Sequence, residues 1–158
     1  MNSLVSVIMP YYDKKDYFFE SINSVLNQTH ANLEIIIIYD DENKNDLEYI
    51  KNCIKNDTRV KIIFNDNNKG VSYSRNKAIS IAQGKYIAFL DCDDYWETNK
   101  IEVQLYFMLN HGYDFSYTTY QIINYDRKIV GKIRAQGIMG YKELLKSCDI
   151  ALSSVILK

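Results

Sequence analysis

The chain has 158 residues, 47% of them hydrophobic and 25% charged, enough for one globular domain with a core of its own. A net charge of −1, from 19 basic and 20 acidic residues, excludes a globally cationic binder of nucleic acid. The three cysteines, Cys53, Cys92 and Cys148, match neither a disulfide framework nor a zinc pattern and suit a reducing cytoplasm, while no apolar run approaches the roughly 20 residues of a bilayer span.

Leu4 to Met9 is an almost continuous apolar run closed by Pro10, the signature of a strand covered on both faces. After the polar turn Asp13 to Asp16, Phe18, Ile22, Val25 and Leu26 recur at helical spacing to about Asn27. Leu33 to Tyr39, with four consecutive isoleucines, predicts a second buried strand ending in Asp40-Asp41-Glu42-Asn43. Asp46 to Lys55 reads as a helix and Val60 to Phe64 as a strand closed by Asn65-Asp66-Asn67-Asn68. Gly70 opens a helix from Val71 to Ala82, with Ala78, Ile79 and Ala82 as its inward stripe and Gly84 as its terminator.

Tyr86 to Leu90 is the next strand, and Ile101, Leu105, Met108 and Leu109 mark a helix ending at His111-Gly112. Alternation of this kind predicts an α/β fold with a mostly parallel sheet, whose ligands bind beyond the carboxyl ends of the strands. Past Asp114 the pattern weakens. Phe115 to Tyr125 and Lys128 to Ile133 read as strands, Tyr141 to Ser147 as a short helix and Leu152 to Leu157 as extended. Isolated His30 and His111 read as surface or loop residues, and Cys92 as packing.

Three carboxylates, Asp91, Asp93 and Asp94, crowd the end of the Tyr86 to Leu90 strand, and Asp40 and Asp41 end another. Crowded carboxylates raise the cost of ionising one another, and a hard divalent cation removes it. With no clustered histidine or cysteine, an all-oxygen site suits Mg²⁺ or Mn²⁺ shared with substrate phosphates. A solvated acidic turn capping a helix is the bland alternative. Neither G-x-G-x-x-G after a strand nor G-x-x-x-x-G-K-[ST] is present, which argues against a Rossmann dehydrogenase or a P-loop enzyme.

Five collinear segments, Val5 to Asp13, Ser24 to Thr29, Tyr39 to Asp41, Asn68 to Asn76 and Phe89 to Asp94, together resemble the family 2 glycosyltransferases of the GT-A fold. The resemblance covers nearly the whole chain. It implies a nucleotide-diphospho-sugar donor, with a UDP-sugar favoured, and a glycan or glycolipid acceptor. Residues 1–112 would form the nucleotide-sugar-binding half of a single domain and 113–158 the start of the acceptor half. Pro10, Tyr11 and Tyr12 would line the nucleoside pocket, and Asp41, with Asp40 beside it, would accept from the imide N–H of the base. Arg75 would lie against the nucleotide or its diphosphate. Asp91-Cys92-Asp93 would be the D-x-D motif, with Asp91 near the ribose, Asp93 on Mn²⁺ or Mg²⁺, and Asp94 a further metal candidate.

The chain departs from the family where Tyr11-Tyr12-Asp13 replaces Thr-Tyr-Asn and Asp40-Asp41-Glu42-Asn43 replaces Asp-Asp-Gly-Ser, which bears on base preference. The general base of an inverting transfer is expected beyond Lys158. Transfer in the cytoplasm, with peripheral membrane association of the full-length enzyme, is a further expectation of the resemblance. A non-catalytic nucleotide-sugar-binding module and a nucleotidyltransferase are the alternatives. The latter ordinarily needs a glycine-rich basic loop after the first strand, where Pro10-Tyr11-Tyr12-Asp13 stands.

Overall fold

The structure, a computed structural model, describes residues 2–146 and 150–158. β1 (Val5–Tyr11), β2 (Leu33–Tyr39), β3 (Val60–Phe64) and β4 (Tyr86–Phe89) are parallel, and α1 (Lys15–Leu26), α2 (Leu47–Ile54) and α3 (Val71–Ile81) connect them in turn. α4 (Lys100–His111) follows, then β5 (Phe115–Ser116), β6 (Tyr120–Ile123), β7 (Ile129–Ile133), α5 (Tyr141–Leu144), one 3₁₀ turn and β8 (Ile156–Leu157). The main sheet runs β3-β2-β1-β4-β8-β5, and β6 and β7 pair as a separate hairpin. The first four strands thus confirm the alternating α/β reading.

Period two sorts the strand residues between two layers. Val5, Val7, Met9 and Tyr11 of β1, with Ile35, Ile37 and Tyr39 of β2, face Phe18 and Ile22 of α1, Ile50 of α2 and Leu105 of α4. Ile8, Ile36, Ile38 and Phe89 face the other way, onto Ala78 of α3. All four isoleucines Ile35 to Ile38 are fully buried, each worth about 2 kcal/mol of transfer free energy. That two-sided burial is why β2 has no polar alternation.

The carboxyl ends of the parallel strands are held level by register. Tyr11 stands beside Tyr39 and Tyr39 beside Phe64, and the Leu90 N–H donates to the Ile8 carbonyl at 3.0 Å. The segments 12–13, 40–46, 65–70 and 91–95 therefore emerge along one rim. The opposite rim is closed by Glu34, which accepts from the Ser6 hydroxyl at 2.5 Å, the Gln83 N–H at 2.5 Å and Lys61 Nζ at 3.2 Å. A Cβ on Gly84 would stand 2.6 Å from the Ser6 backbone nitrogen, so only glycine fits there.

Four sequence expectations need correction. The single strand expected from Phe115 to Tyr125 is two, β5 in the main sheet and β6 outside it. The extended Leu152 to Leu157 segment is a 3₁₀ turn at Leu152–Ser154 followed by β8, which pairs antiparallel to both β4 and β5. Ile79 and Leu109 are exposed, and the buried polar groups Ser74 and Gln104 take the inward positions on their helices. His30 is buried in its loop, with Nε2 2.9 Å from the Ser3 carbonyl. The short helix expected from Tyr141 to Ser147 is described from Tyr141 to Leu144, and Ser147 lies outside the described residues.

Candidate functional site

The rim is built outward from β2. Asp40, 2% exposed, turns back under the rim and gives both oxygens to the loop before α3: Oδ1 accepts from Asn65 Nδ2 at 2.6 Å and the Lys69 N–H at 2.8 Å, and Oδ2 accepts from the Gly70 N–H at 2.8 Å. The loop turns into α3 at Gly70, whose φ of 85° suits glycine. The expectation that Asp40 serves the base is corrected, because its described bonds tie down the α3 loop instead.

Tyr11 is corrected as well. Its ring is fully buried, stacked 5.2 Å from Tyr39 and edge-on to Phe18 at 5.4 Å, and its hydroxyl donates to Asp46 Oδ2 at 2.7 Å. Burial, with the neighbouring Asp46 carboxylate, pushes the Tyr11 phenol far above its ordinary range. Tyr11 is a core residue. Pro10 is half-buried, whereas Tyr12 is exposed and with Asp13, Asp41, Asn43, Asn45 and Asp46 lines an open cavity of about 250 Å³. Asp41 Oδ1 accepts the Asn43 N–H at 3.0 Å, an Asx turn that holds this carboxylate in the cavity wall.

Arg75, one turn into α3, donates through Nη2 to Asp91 Oδ1 at 2.6 Å, bringing together a helix residue and a strand-end residue that the sequence singled out. Its Nε has no partner among the described residues, so the guanidinium keeps unused donor capacity. The Asp91 N–H donates to Ser153 Oγ at 3.2 Å, and Ser21 Oγ donates to the Asp91 carbonyl at 3.3 Å, fixing the peptide at the strand end.

The crowded carboxylates have separate partners. Asp93 is exposed and pairs with Lys14 at 2.9 Å, an ion pair that raises the Lys14 ammonium above its ordinary value. Asp94 accepts from the Ser153 hydroxyl at 2.5 Å, and desolvation raises its carboxyl despite that bond. Among the described residues no three Asp, Glu, His or Cys side chains gather as a ready set of metal ligands. The chemistry of Asp93 fits a hard cation in a different way. It is an accessible oxygen donor whose one described partner is an exposed lysine, suited to a cation that takes its remaining ligands from a diphosphate.

Ser153, Asp46 and Lys14 are site residues that sequence reasoning did not assign. Ser153 is tied in three times, since Trp96 Nε1 also donates to its carbonyl at 2.7 Å. No local signal marks it, because its partners lie about 60 positions away. Trp96 is buried, and Lys100 Nζ sits 4.1 Å from the centre of its ring without a hydrogen-bond partner among the described residues. Burial lowers the Lys100 amine to about 7. Cys92 is buried with Sγ 3.3 Å from the Pro10 carbonyl, in keeping with packing, and burial holds its thiol far above the ordinary range.

Comparison with known proteins shows what this chain is similar to. Residues 6–154 match the family model described as Glycosyl transferase family 2. The chain is 42% identical over 154 residues to a UDP-Glc:alpha-D-GlcNAc-diphosphoundecaprenol beta-1,3-glucosyltransferase of Escherichia coli, covering 98% of this chain and 60% of that protein. It is 37% identical to a putative teichuronic acid biosynthesis glycosyltransferase of Bacillus subtilis, covering 98% and 62%. The chain thus spans about 60% of the length of these curated relatives. Among solved structures it resembles S. aureus TarS 1–349, with a TM-score of 0.73 at 20% identity over 98% of this chain and 46% of that one. It also resembles a Pyrobaculum calidifontis mannosyltransferase in complex with GDP-Man and Mn²⁺, with a TM-score of 0.68 at 14% identity over 75% and 36%. These likenesses identify the sheet and its flanking helices as a GT-A fold. With the family match spanning the rim segments from β1 to Ser154, the chain belongs to glycosyl transferase family 2.

Proposed function

We propose that this chain is the donor-binding portion of a metal-assisted glycosyltransferase that moves a sugar from a UDP-sugar to a lipid-linked glycan. The observation that carries the reading is the Arg75–Asp91 pair, with Asp93 two residues on, at the same carboxyl rim of the sheet as the cavity lined by Asp41. Asp41 is an acceptor for the imide N–H of uracil, and Tyr12 offers an exposed ring beside it. Asp91, held by Arg75, orients toward the ribose, while the guanidinium meets the diphosphate.

Asp93 would hold Mn²⁺ or Mg²⁺, which when bound supplies positive charge to the departing diphosphate. Lys14 then has to release Asp93 and is free to face the same phosphates. Asp94, bonded to Ser153, supports the loop rather than the ion. The Escherichia coli relative's name describes UDP-Glc as donor, a diphosphoundecaprenol-linked GlcNAc as acceptor and a β-1,3 linkage as product. Forming a β linkage from an α-linked nucleotide sugar is inversion. A TarS structure described in complex with UDP supports the choice of base.

Calorimetric titration with UDP and UDP-glucose tests the reading. Binding is expected in Mn²⁺ or Mg²⁺, to be lost with chelator and in Asp93→Ala. Equal affinity in all three conditions would sink the metal assignment, and absence of nucleotide binding under every condition would sink the donor site.

A further inference from the structure

Where the family pattern has Asp-Asp-Gly-Ser, this chain carries Asp40-Asp41-Glu42-Asn43, so an asparagine stands in the place of the serine, and Asn45 follows two residues on. The loop that bears them is fixed at both ends. Asp41 accepts the Asn43 N–H at 3.0 Å, and Asp46 accepts from the buried Tyr11 hydroxyl at 2.7 Å and pairs with Lys15 at 3.4 Å. Between the asparagines Lys44 holds a φ of 52°, in the left-handed region that a lysine enters at a cost, with its ammonium 5.5 Å from the centre of the Phe64 ring. Asp41, Asn43 and Asn45 line one cavity, together with the exposed Tyr12.

The hydrogen-bonding capacity of these three residues is unspent. Asp46 has both oxygens occupied, whereas Asp41 Oδ2 and the side-chain amides of Asn43 and Asn45 have no partner among the described residues. That leaves one acceptor and two groups able to donate. The pairing edge of uracil is their complement, since its N3–H donates and the carbonyls at positions 2 and 4, one on each side, accept. Cytosine turns a bare N3 lone pair toward the carboxylate, a repulsion that rotating an amide does not relieve. Guanine presents two adjacent donors, for which Asp41 Oδ2 is a single acceptor. Asp13, the other carboxylate of the lining without a described side-chain hydrogen bond, is the one further group suited to an exocyclic amine, which makes cytosine and guanine the competitors.

We infer that Asn43 and Asn45 are base-specificity residues, donating to the two uracil carbonyls on either side of the N3–H that Asp41 accepts. The inference rests on the donor-site reading and adds to it the groups that reject other bases. A site built to hydrogen-bond its ligand discriminates against an analogue that leaves those groups unpaired far more strongly than an apolar pocket does. Holding the loop at Asp41 and at Asp46 sets the amides in place before the base arrives.

Calorimetric titration with UDP, CDP and GDP in Mn²⁺ tests it on the parent chain, on Asn43→Ala and Asn45→Ala, and on Asn67→Ala as a control on the same rim outside the cavity. The parent is expected to bind UDP at least about tenfold more tightly than CDP or GDP. Each cavity variant should weaken UDP by about fivefold or more, and the one whose amide faces position 4 of the base should also narrow the ratio of UDP to CDP affinity, while Asn67→Ala changes neither. Aspartate at that position, as Asn43→Asp or Asn45→Asp, should narrow the ratio further by giving the cytosine amine an acceptor. Parent affinity for CDP or GDP equal to that for UDP, unchanged UDP affinity in either alanine variant, or a ratio unchanged in both overturns the inference and leaves the donor site standing. Absence of binding by every nucleotide sinks both. A dissociation constant is independent of the folded fraction of a sample, so the ratios hold even where a variant misfolds in part.

Discussion

Arg75 and Asp91 meet at 2.6 Å across the rim, one from the second turn of α3 and the other from the end of β4. The pair is about one quarter to one third exposed, so its direct contribution to stability is small and its effect is to hold the two side chains in one orientation. Arg75→Ala should weaken nucleotide affinity at least tenfold while lowering stability by no more than about 1 kcal/mol. Arg75→Lys should restore little, because a point charge cannot both bond Asp91 and present a planar donor edge. Calorimetry beside urea denaturation separates the two quantities, and unchanged affinity in Arg75→Ala would remove the residue from the site.

Asp40 acts one step further back. Two loop N–H groups and the Asn65 amide depend on its carboxylate, so Asp40→Ala leaves buried donors unpaired. A loss of about 2–4 kcal/mol in unfolding free energy is expected, with weaker nucleotide binding as α3 and Arg75 lose their anchor. A denaturation midpoint equal to the parent's would show that the loop is held by something else.

Lys100 gives a pH dependence whose sign is opposite to that of a paired lysine. Its folded-state value of about 7 lies below its ordinary 10.5, so between those values the unfolded chain binds the extra proton and stability rises with pH. Below about 7 the ammonium is charged and desolvated in the folded state, and the penalty is complete. Lys100→Met keeps the contact with Trp96 and removes the charge. It should be more stable than the parent by about 1–2 kcal/mol at pH 6, with the gap closing toward pH 10. Thermal melts across that range check it, and a gap independent of pH contradicts it.

Gly84 lies where β4 begins, against the Ser6 peptide and the Glu34 carboxylate. Gly84→Ala should cost about 2–4 kcal/mol, because the added methyl meets backbone rather than a movable side chain. Gly137→Ala, which meets open space, is the control and should change the melting temperature little. Equal effects at the two glycines would mean that the close approach is absent in solution.

Residue periodicity alone established the α/β order through α4, since buried parallel strands need continuous apolar runs and their helices an apolar stripe. It also placed Asp40, Asp41 and the Asp91 to Asp94 cluster at strand ends, where a parallel sheet gathers them on one rim. The same period put Tyr11 on the face of Val5, Val7 and Met9, so its burial was legible in the residues even though the family resemblance suggested a pocket role. Tertiary structure alone decided how each carboxylate is used. Asp40 turns inward to three donors from residues 65–70, Asp93 meets Lys14 across the rim, and Asp94 meets Ser153 in the 3₁₀ turn that leads the chain back into the sheet at β8. Strands of two residues such as β5 and β8 carry no period, and a carboxylate's partner is fixed by which distant segment packs beside it, so neither could be read from local sequence.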